Sequence, residues 1–194
     1  MHWRRALVSE EDLQALDYLL WLGNGRLAAE QIGTHQSTIS RRVAHVLAVF
    51  DLSLKRRGRE LLIKGVHGDL LTLQRQVHQG RRLLGALPLR LEIEASAWPR
   101  IGAVTLPAWH RHRSTQRAPG EQLALLQEHV LDAWIGPMHQ ELSAEQMADP
   151  SAVRVLPLTS ADTDQPLALM VRAEHAEHPQ ISALLQALSP PPLP

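Results

Sequence analysis

The chain has 194 residues, of which 44% are hydrophobic, with no cysteine and a formal net charge of zero. The lack of cysteine excludes a disulfide framework and a thiolate metal site. No apolar run approaches the roughly 20 residues that span a membrane, and the amino terminus lacks a signal-peptide pattern. We therefore expect a cytoplasmic protein with no membrane partner.

The zero net charge conceals an asymmetry between the two halves of the chain. Residues 1–85 carry 13 Lys/Arg against 8 Asp/Glu, a balance of +5, whereas residues 86–194 carry 7 against 12, a balance of −5. Such an asymmetry suggests that the first half faces a polyanion. A solvated basic face without a partner is the alternative.

Two helices are predicted at the start of the chain. Ser9 precedes a run of acids and leucines spaced by three and four, which predicts a helix over residues 10–22. Glycines then end this helix, and Asn24 is a candidate cap for a short second helix over residues 26–32. Residues 33–35 are predicted to form a tight turn.

A third helix is predicted from Gln36 to about Phe50. Its apolar residues Ile39, Val43, Val46 and Phe50 fall on one stripe, as expected for a helix that packs against a core. The opposite face of the first turns carries small polar and basic side chains: Ser37, Thr38, Arg41 and His45. Such a face suits the major groove of DNA, where base edges display distinguishable donors and acceptors.

A basic segment around a glycine, residues 55–59, leads into the short apolar run 61–63 and predicts a β-hairpin wing. From Gln36 to Lys64 there are 7 Lys/Arg against only Asp51 and Glu60, a density suited to phosphate neutralisation. Three short helices and a basic hairpin together predict a winged helix-turn-helix with double-stranded DNA as partner.

A further helix is predicted over residues 69–87. Its apolar residues fit an alternating three-four heptad in which Gly80 occupies one position: Leu70, Leu73, Val77, Leu84 and Leu87. This pattern indicates a dimerising linker helix, with Gly80 allowing close approach. An ordinary amphipathic surface helix is the alternative.

From Leu89 onward the pattern indicates strands that alternate with helices, and hence parallel pairing in an α/β sheet. Strands are predicted at 91–95, 114–118, 132–136, 153–158 and 167–171, and helices at 99–112, 120–130 and 179–188. Residues 137–151 are polar and helix-permissive, and 189–194 are predicted to be a loose Pro-rich tail.

The segment GNGRLAAEQIGTHQSTISRRV, residues 23–43, resembles the DNA-binding domain of LysR-type transcriptional regulators. It matches that family's glycine, helix cap, Ala-Ala pair and the signature Gln36, Ser37 and Ser40. The basic wing and the long helix follow in the family's order. The chain departs from the pattern where Leu47 replaces the usual Glu, Asp51 the usual Gly and Lys55 the usual wing Phe, and the wing lacks the usual Leu-Thr before Gly68.

The resemblance and the helix geometry together imply roles for individual residues. Ser37, Thr38 and Arg41 are expected to read base edges, with Gln36 and His45 as further candidates. Ser40 and Arg42 are expected at phosphates, and Arg56, Arg57 or Arg59 at the backbone or minor groove. For each single residue, a solvated surface position is the alternative.

The second half resembles part of that family's effector domain, which is similar to periplasmic binding proteins and has two α/β subdomains around a small-molecule site. Residues 89–136 resemble its opening and 166–188 its return segment, with roughly 30 residues between them. We therefore expect subdomain II to be missing or vestigial. Ser96 and Trp98 lie where the family contacts ligand; a helix cap at Ser96 and a packing role for Trp98 are the favoured alternative, so whether an effector binds stays open.

The predicted fold is mixed: an all-α winged helix-turn-helix (1–67) with a dimerising linker helix (68–88), then an abbreviated α/β domain resembling one effector subdomain (89–188), then the tail (189–194). The sequence contains no nucleophile elbow, P-loop or dinucleotide fingerprint. Its histidines, with the closest pairs at 110/112 and 175/178, favour surface positions over a metal site. We therefore expect no enzyme activity, no cofactor and no metal.

The function predicted from the sequence is a dimeric, sequence-specific transcriptional regulator. The alternative is an interaction module that modulates a full-length relative, or another protein, through its truncated effector domain. A homodimer is expected, with a higher oligomer or hetero-oligomer as the other assemblies to consider.

Overall fold

The computed structural model describes residues 7–58, 60–114, 119–138, 152–158 and 166–188. The chain divides into two compact units, residues 1–78 and 79–194, and the boundary falls inside a helix. Within the described residues, no helix combines the length and the apolar character needed to cross a membrane. The Pro-rich tail and most of residues 137–151 lie outside the described residues.

The first unit contains three helices, a two-stranded hairpin and the start of a fourth helix. Their bounds are α1 Glu10–Leu22, α2 Gly25–Ile32, α3 Gln36–Val49, β1 Leu52–Arg57, β2 Glu60–Gly65 and α4 Gly68–Leu83. The two strands pair antiparallel from Leu52↔Gly65 to Arg57↔Glu60. The first four predicted helices and the predicted hairpin are thus present in the predicted order.

The core of the first unit forms between α1, α2 and α3. Its fully buried apolar residues recur at helical spacing on each element: Leu13, Leu16, Leu20 and Trp21 on α1, Ala28 and Ala29 on α2, and Ile39, Val43 and Val46 on α3. The small Ala28-Ala29 pair lets α2 approach its neighbours closely. The predicted buried stripe of the third helix is confirmed for Ile39, Val43 and Val46, whereas Phe50 is half-buried and follows the end of the helix.

The second unit contains a five-stranded sheet with the order β4-β3-β5-β7-β6. Its elements are β3 Leu89–Ile93, α5 Trp98–Ile101, β4 Trp109–Arg113, α6 Pro119–Gln127, β5 Ala133–Pro137, β6 Val153–Leu158, β7 Leu167–Arg172 and α7 Pro179–Leu188. β3 is parallel to β4 and β5, but β7 is antiparallel to β5 and β6. The sheet is therefore mixed, with only its first three strands in the predicted parallel arrangement.

One face of this sheet carries the main apolar core. Alternate residues of the strands, among them Leu91, Ile93, Ile135 and Leu169, are buried there together with Ile181 and Leu184 of α7. Trp98 packs against the same cluster. Alternation in the strands and helical spacing in α7 thus bury one continuous apolar layer.

One predicted element of the second unit is wrong, and another lies mostly outside the described residues. The helix predicted over 99–112 is only the single turn α5, followed by turns and by strand β4 at Trp109–Arg113. Pro107 lacks the amide proton that a helix interior needs and its ring clashes with the preceding turn, so the helix cannot continue through it. Of the strand predicted at 114–118, Ser114 follows β4 and residues 115–118 lie outside the described residues.

The predicted linker helix ends earlier than residue 87. α4 ends at Leu83, and Gly85 adopts φ 79° in the left-handed region. The amides of Gly85 and Ala86 donate to the carbonyl oxygens of Arg82 and Arg81, which is the hydrogen-bond pattern of a glycine-terminated helix. Leu84 and Leu87 therefore lie beyond the helix.

Candidate nucleic-acid interface

The turn between α2 and α3 is set by caps at both ends of α2. The Asn24 side chain accepts hydrogen bonds from the amides of Arg26 at 2.8 Å and Leu27 at 3.3 Å, satisfying the first free donors of the helix. Gly33 ends α2 with φ 73°, and the Thr34 amide donates back to the Ala29 carbonyl. The chain then enters α3 with the first turn of that helix at the surface.

The outward face of α3 contains the residues predicted to read bases. Ser37 and Arg41 are exposed one turn apart, and Thr38 beside them is half-buried. One Arg41 guanidinium nitrogen lies 3.3 Å from the Thr38 hydroxyl oxygen, to which it donates. This contact directs Arg41 along the helix surface and leaves most of its donors available for a base edge.

Gln36 and Ser40 are also exposed, but both have contacts inside the unit. The side chain of Gln36 lies over Gly25, where an added Cβ would come within 3.4 Å of the Gln36 Cγ. The Ser40 hydroxyl donates to the Gln36 carbonyl oxygen at 3.2 Å. Because this uses the single hydroxyl proton, Ser40 has none left for a phosphate oxygen in this rotamer.

Arg42 and His45 lie on the flank of α3 that faces the start of α1. Arg42 Nε is 4.0 Å from one carboxylate oxygen of Asp12, and His45 Nε2 is 3.8 Å from the other. His45 Nε2 also lies 3.4 Å from the Leu7 carbonyl oxygen. The predicted contact residues of α3 are therefore divided between an open face and a flank that has acidic neighbours.

The hairpin adds a second basic surface. Lys55, Arg56 and Arg57 of β1 are exposed, and Arg56 Nη2 donates to the Gly23 carbonyl oxygen at 3.5 Å. Gly58 adopts φ 61° at the end of the hairpin. Arg59 lies outside the described residues, so its predicted role stays a prediction.

The two candidate ligand residues of the second unit differ in environment. Ser96 is exposed and its hydroxyl donates to Glu94 Oε1 at 3.3 Å, whereas α5 begins after Ala97 without a side-chain cap. Trp98 is half-buried against the core, and its indole lies over Gly102. The packing role of Trp98 fits this environment; the helix cap at Ser96 is not formed. A ligand role for either residue stays a prediction.

Buried ion pairs on α4 were missed by the sequence analysis. Arg75 contacts Asp17 at 2.8 Å and Arg82 contacts Asp132 at 2.7 Å, with all four side chains almost fully buried. Arg75 is one turn beyond buried Leu71, and Arg82 is a further seven residues along, which places the three on one helix face. The spacing indicates a shared helix face, but the sequence alone does not show that Asp17 and Asp132 are buried beside that face.

Within the described residues, no three His, Asp or Glu side chains come together in a group that could hold a metal ion.

Comparison with known proteins finds similar solved structures. Neither a protein-family model nor a curated protein matches this sequence. Full-length OxyR from Pseudomonas aeruginosa, carrying the C199D substitution, matches over 94% of this chain and 98% of its own, with 12% identity and a TM-score of 0.52. The fold is that of a LysR-type regulator.

Two further solved structures match at lower scores. DarR from Vibrio fischeri, solved in complex with DNA, shares 17% identity over 79% of this chain, with a TM-score of 0.31. CrgA, a LysR-type transcriptional regulator from Neisseria meningitidis, shares 15% identity over 79% of this chain, with a TM-score of 0.33. The present chain spans 56% and 54% of their respective lengths.

Proposed function

We propose that this chain is a sequence-specific DNA-binding transcriptional regulator, with a winged helix-turn-helix formed by α1 to β2. The observation that carries the proposal is the open face of α3, on which Ser37, Thr38 and Arg41 project from a helix that is firmly packed on its other side. A guanidinium on such a face can pair with the O6 and N7 atoms of a guanine, the commonest specific contact in the major groove.

The hairpin supplies the non-specific part of the binding energy. Lys55, Arg56 and Arg57 are exposed beyond the end of α3, where they would meet phosphates beside the groove that α3 enters. Phosphate contacts dominate affinity and make it fall with salt, whereas base contacts discriminate sequences. The hairpin therefore contributes mainly to the affinity for DNA, and the open face of α3 contributes the sequence specificity.

We further propose that the regulator acts as a dimer through α4. Three apolar side chains of the predicted heptad are exposed on this helix, with exposed fractions of 47% for Leu70, 56% for Leu73 and 66% for Val77. Leaving such a stripe in water is unfavourable by roughly 25 cal/mol per Å² of apolar area. A second copy would cover it and would place two reading helices on a partly palindromic site.

The test of DNA binding is footprinting on genomic fragments at two salt concentrations, with Arg41→Ala as the variant. The wild type should protect a defined site. Arg41→Ala should weaken the binding free energy at that site by about 1–3 kcal/mol and relax the sequence preference at one base pair. Arg154→Ala, which removes an exposed arginine of β6, is the matched control and should bind like the wild type. No footprint, or an affinity independent of salt, would overturn the proposal.

A further inference from the structure

The start of α1 holds an acidic group directly beside the flank of α3. Asp12 lies in the first turn of α1, where it completes a capping box: its carboxylate accepts from the Ser9 amide at 3.2 Å, and its own amide donates to the Ser9 hydroxyl at 3.2 Å. The cap fixes the carboxylate in place. Asp12 is therefore a fixed negative charge and not a mobile surface acid.

This fixed carboxylate reaches both basic residues of the flank. Its two oxygens lie 4.0 Å from Arg42 Nε and 3.8 Å from His45 Nε2, and the side chain of Asp12 is only 17% exposed. A partly buried charge is screened less by salt than an exposed one. The attraction between Asp12 and the two basic side chains is consequently screened less by salt than that of an exposed ion pair.

Glu11 adds a second acid at the same end of α1. The pKa of Glu11 is lowered by its backbone hydrogen bond, by the Ser9 hydroxyl and by the charge of Arg42. Arg42 therefore lies in the field of the Glu11 carboxylate as well as beside that of Asp12. A phosphate that approached Arg42 would meet both of these negative charges.

We propose that Asp12 is a specificity-determining positioning residue of the DNA interface, which rests on the proposed function above. It lies beside Arg42 and His45 on the α1 flank of α3, and its negative charge weakens the attraction of Arg42 for a phosphate. Productive contact through α3 is thereby favoured at the face of Ser37, Thr38 and Arg41, where the base-reading groups lie. The acid lowers the affinity for DNA of any sequence and so raises the ratio of specific to non-specific binding.

The experiment measures how the affinity for a non-specific duplex depends on salt, for the wild type and for Asp12→Asn. Asparagine retains an acceptor for the Ser9 amide but removes the charge. Each phosphate newly neutralised steepens the plot of log K against log salt by about 0.9, so the gain in non-specific affinity from freeing Arg42 should grow about eightfold for each tenfold fall in salt concentration. The affinity for the footprinted site should rise less, because the contacts of Ser37, Thr38 and Arg41 already fix the position of α3 there. The ratio of specific to non-specific affinity should therefore fall.

Two further variants separate this local effect from a general change in charge. Asp69→Asn removes an exposed acid in the first turn of α4 and should leave the salt slope unchanged. Adding Arg42→Ala to Asp12→Asn should return the slope to the wild-type value. Thermal unfolding of each variant shows whether it is folded.

The proposal is overturned if Asp12→Asn and Asp69→Asn have the same slope, or if the gain survives removal of Arg42. If Asp12→Asn does not fold, Arg42→Ala in the wild-type background decides: an unchanged slope supports the proposal, and a loss of about 0.9 contradicts it. A wild type that binds no DNA would instead refute the proposed function itself, so the two failures are distinguishable.

Discussion

At the scale of single residues, the connection between α3 and the hairpin depends on two backbone positions. Asp51 adopts φ 51°, in the left-handed region that favours glycine. Gly65 lies opposite Leu52 in the hairpin, and a Cβ added to it would overlap the Asp51 carbonyl oxygen and lie 2.9 Å from the Leu52 Cα. Both obstacles are backbone atoms, which cannot move aside as a flexible side chain can.

We therefore expect Gly65→Ala to destabilise the protein by about 3 kcal/mol, because overpacking and backbone strain both oppose the new methyl group. Urea unfolding followed by tryptophan fluorescence measures this change. Gly68→Ala is the matched control, since a Cβ there meets nothing within 4 Å. Equal unfolding midpoints for the two variants would contradict the close approach at Gly65.

The same positions show what the sequence could predict. Asp51 was identified as the residue that replaces a glycine of the LysR-type pattern, and its positive φ is the physical reason why that pattern prefers glycine there. Asp tolerates the left-handed region better than most residues because its short side chain can hydrogen-bond locally. The close approach at Gly65 was not predictable, because it depends on the register of two strands.

At the scale of elements, α1 contacts both helices that define the proposed regulator. Asp12 at its start lies beside α3, and Asp17 one turn later forms the buried ion pair with Arg75 of α4. Gln74 of α4 also donates to the Val8 carbonyl oxygen just before α1. Through these contacts, α1 connects α4 with α3, the helix proposed to enter the major groove.

The exposed stripe of α4 gives the prediction at this scale. Leu73→Glu places a charge in the middle of the stripe. Because burying an unpaired charge is costly, the Kd of the proposed dimer should rise at least tenfold. Sedimentation velocity over a concentration series measures the change. Gln76→Glu, at another exposed position of α4, should leave the assembly intact. A wild type that is monomeric at high concentration would contradict the dimer.

Helices with caps and a regular apolar stripe were predicted well, and the edge strand β4 was not. α1 to α3 each carry local signals, such as Ser9, Asn24 and Gly33, that act within a few residues. β4 is an edge strand of alternating basic residues without an apolar run, so its sequence resembles a surface helix. Pro107 and Gly102 were the local signals against a helix there.

At the scale of the whole molecule, the two units differ in what stabilises them. The first has an apolar core between helices together with the buried pair Arg75–Asp17, whereas the second contains a larger buried polar cluster at the end of α4. In that cluster Gln79 Oε1 accepts from His129 Nδ1 at 2.6 Å and from His175 Nε2 at 3.2 Å, while Gln79 Nε2 donates to Asp132 Oδ1 at 2.9 Å. Periodicity cannot reveal such a cluster, because its members come from three distant segments of the chain.

The cluster makes the stability of the second unit depend on pH. Burial, and then the nearby charge of Arg172, lower the pKa of His129 to about 4, and burial lowers the pKa of His175 as well. The unfolded chain therefore takes up protons at a higher pH than the folded one. The stabilisation is fully present above the unfolded pKa of about 6.5, declines as the pH falls from there, and for His129 levels off below about 4.

We expect the free energy of unfolding to fall by roughly 2–3 kcal/mol between pH 7 and pH 4 through His129 alone, since one pKa unit corresponds to about 1.4 kcal/mol. Urea unfolding at a series of pH values measures this fall. His129→Asn removes the titrating group while tolerating φ 60° at that position, so its stability should vary less with pH. Because Asn also loses the bond to Gln79, the slope with pH is the decisive quantity, and equal slopes for variant and wild type would show that His129 is not the group responsible.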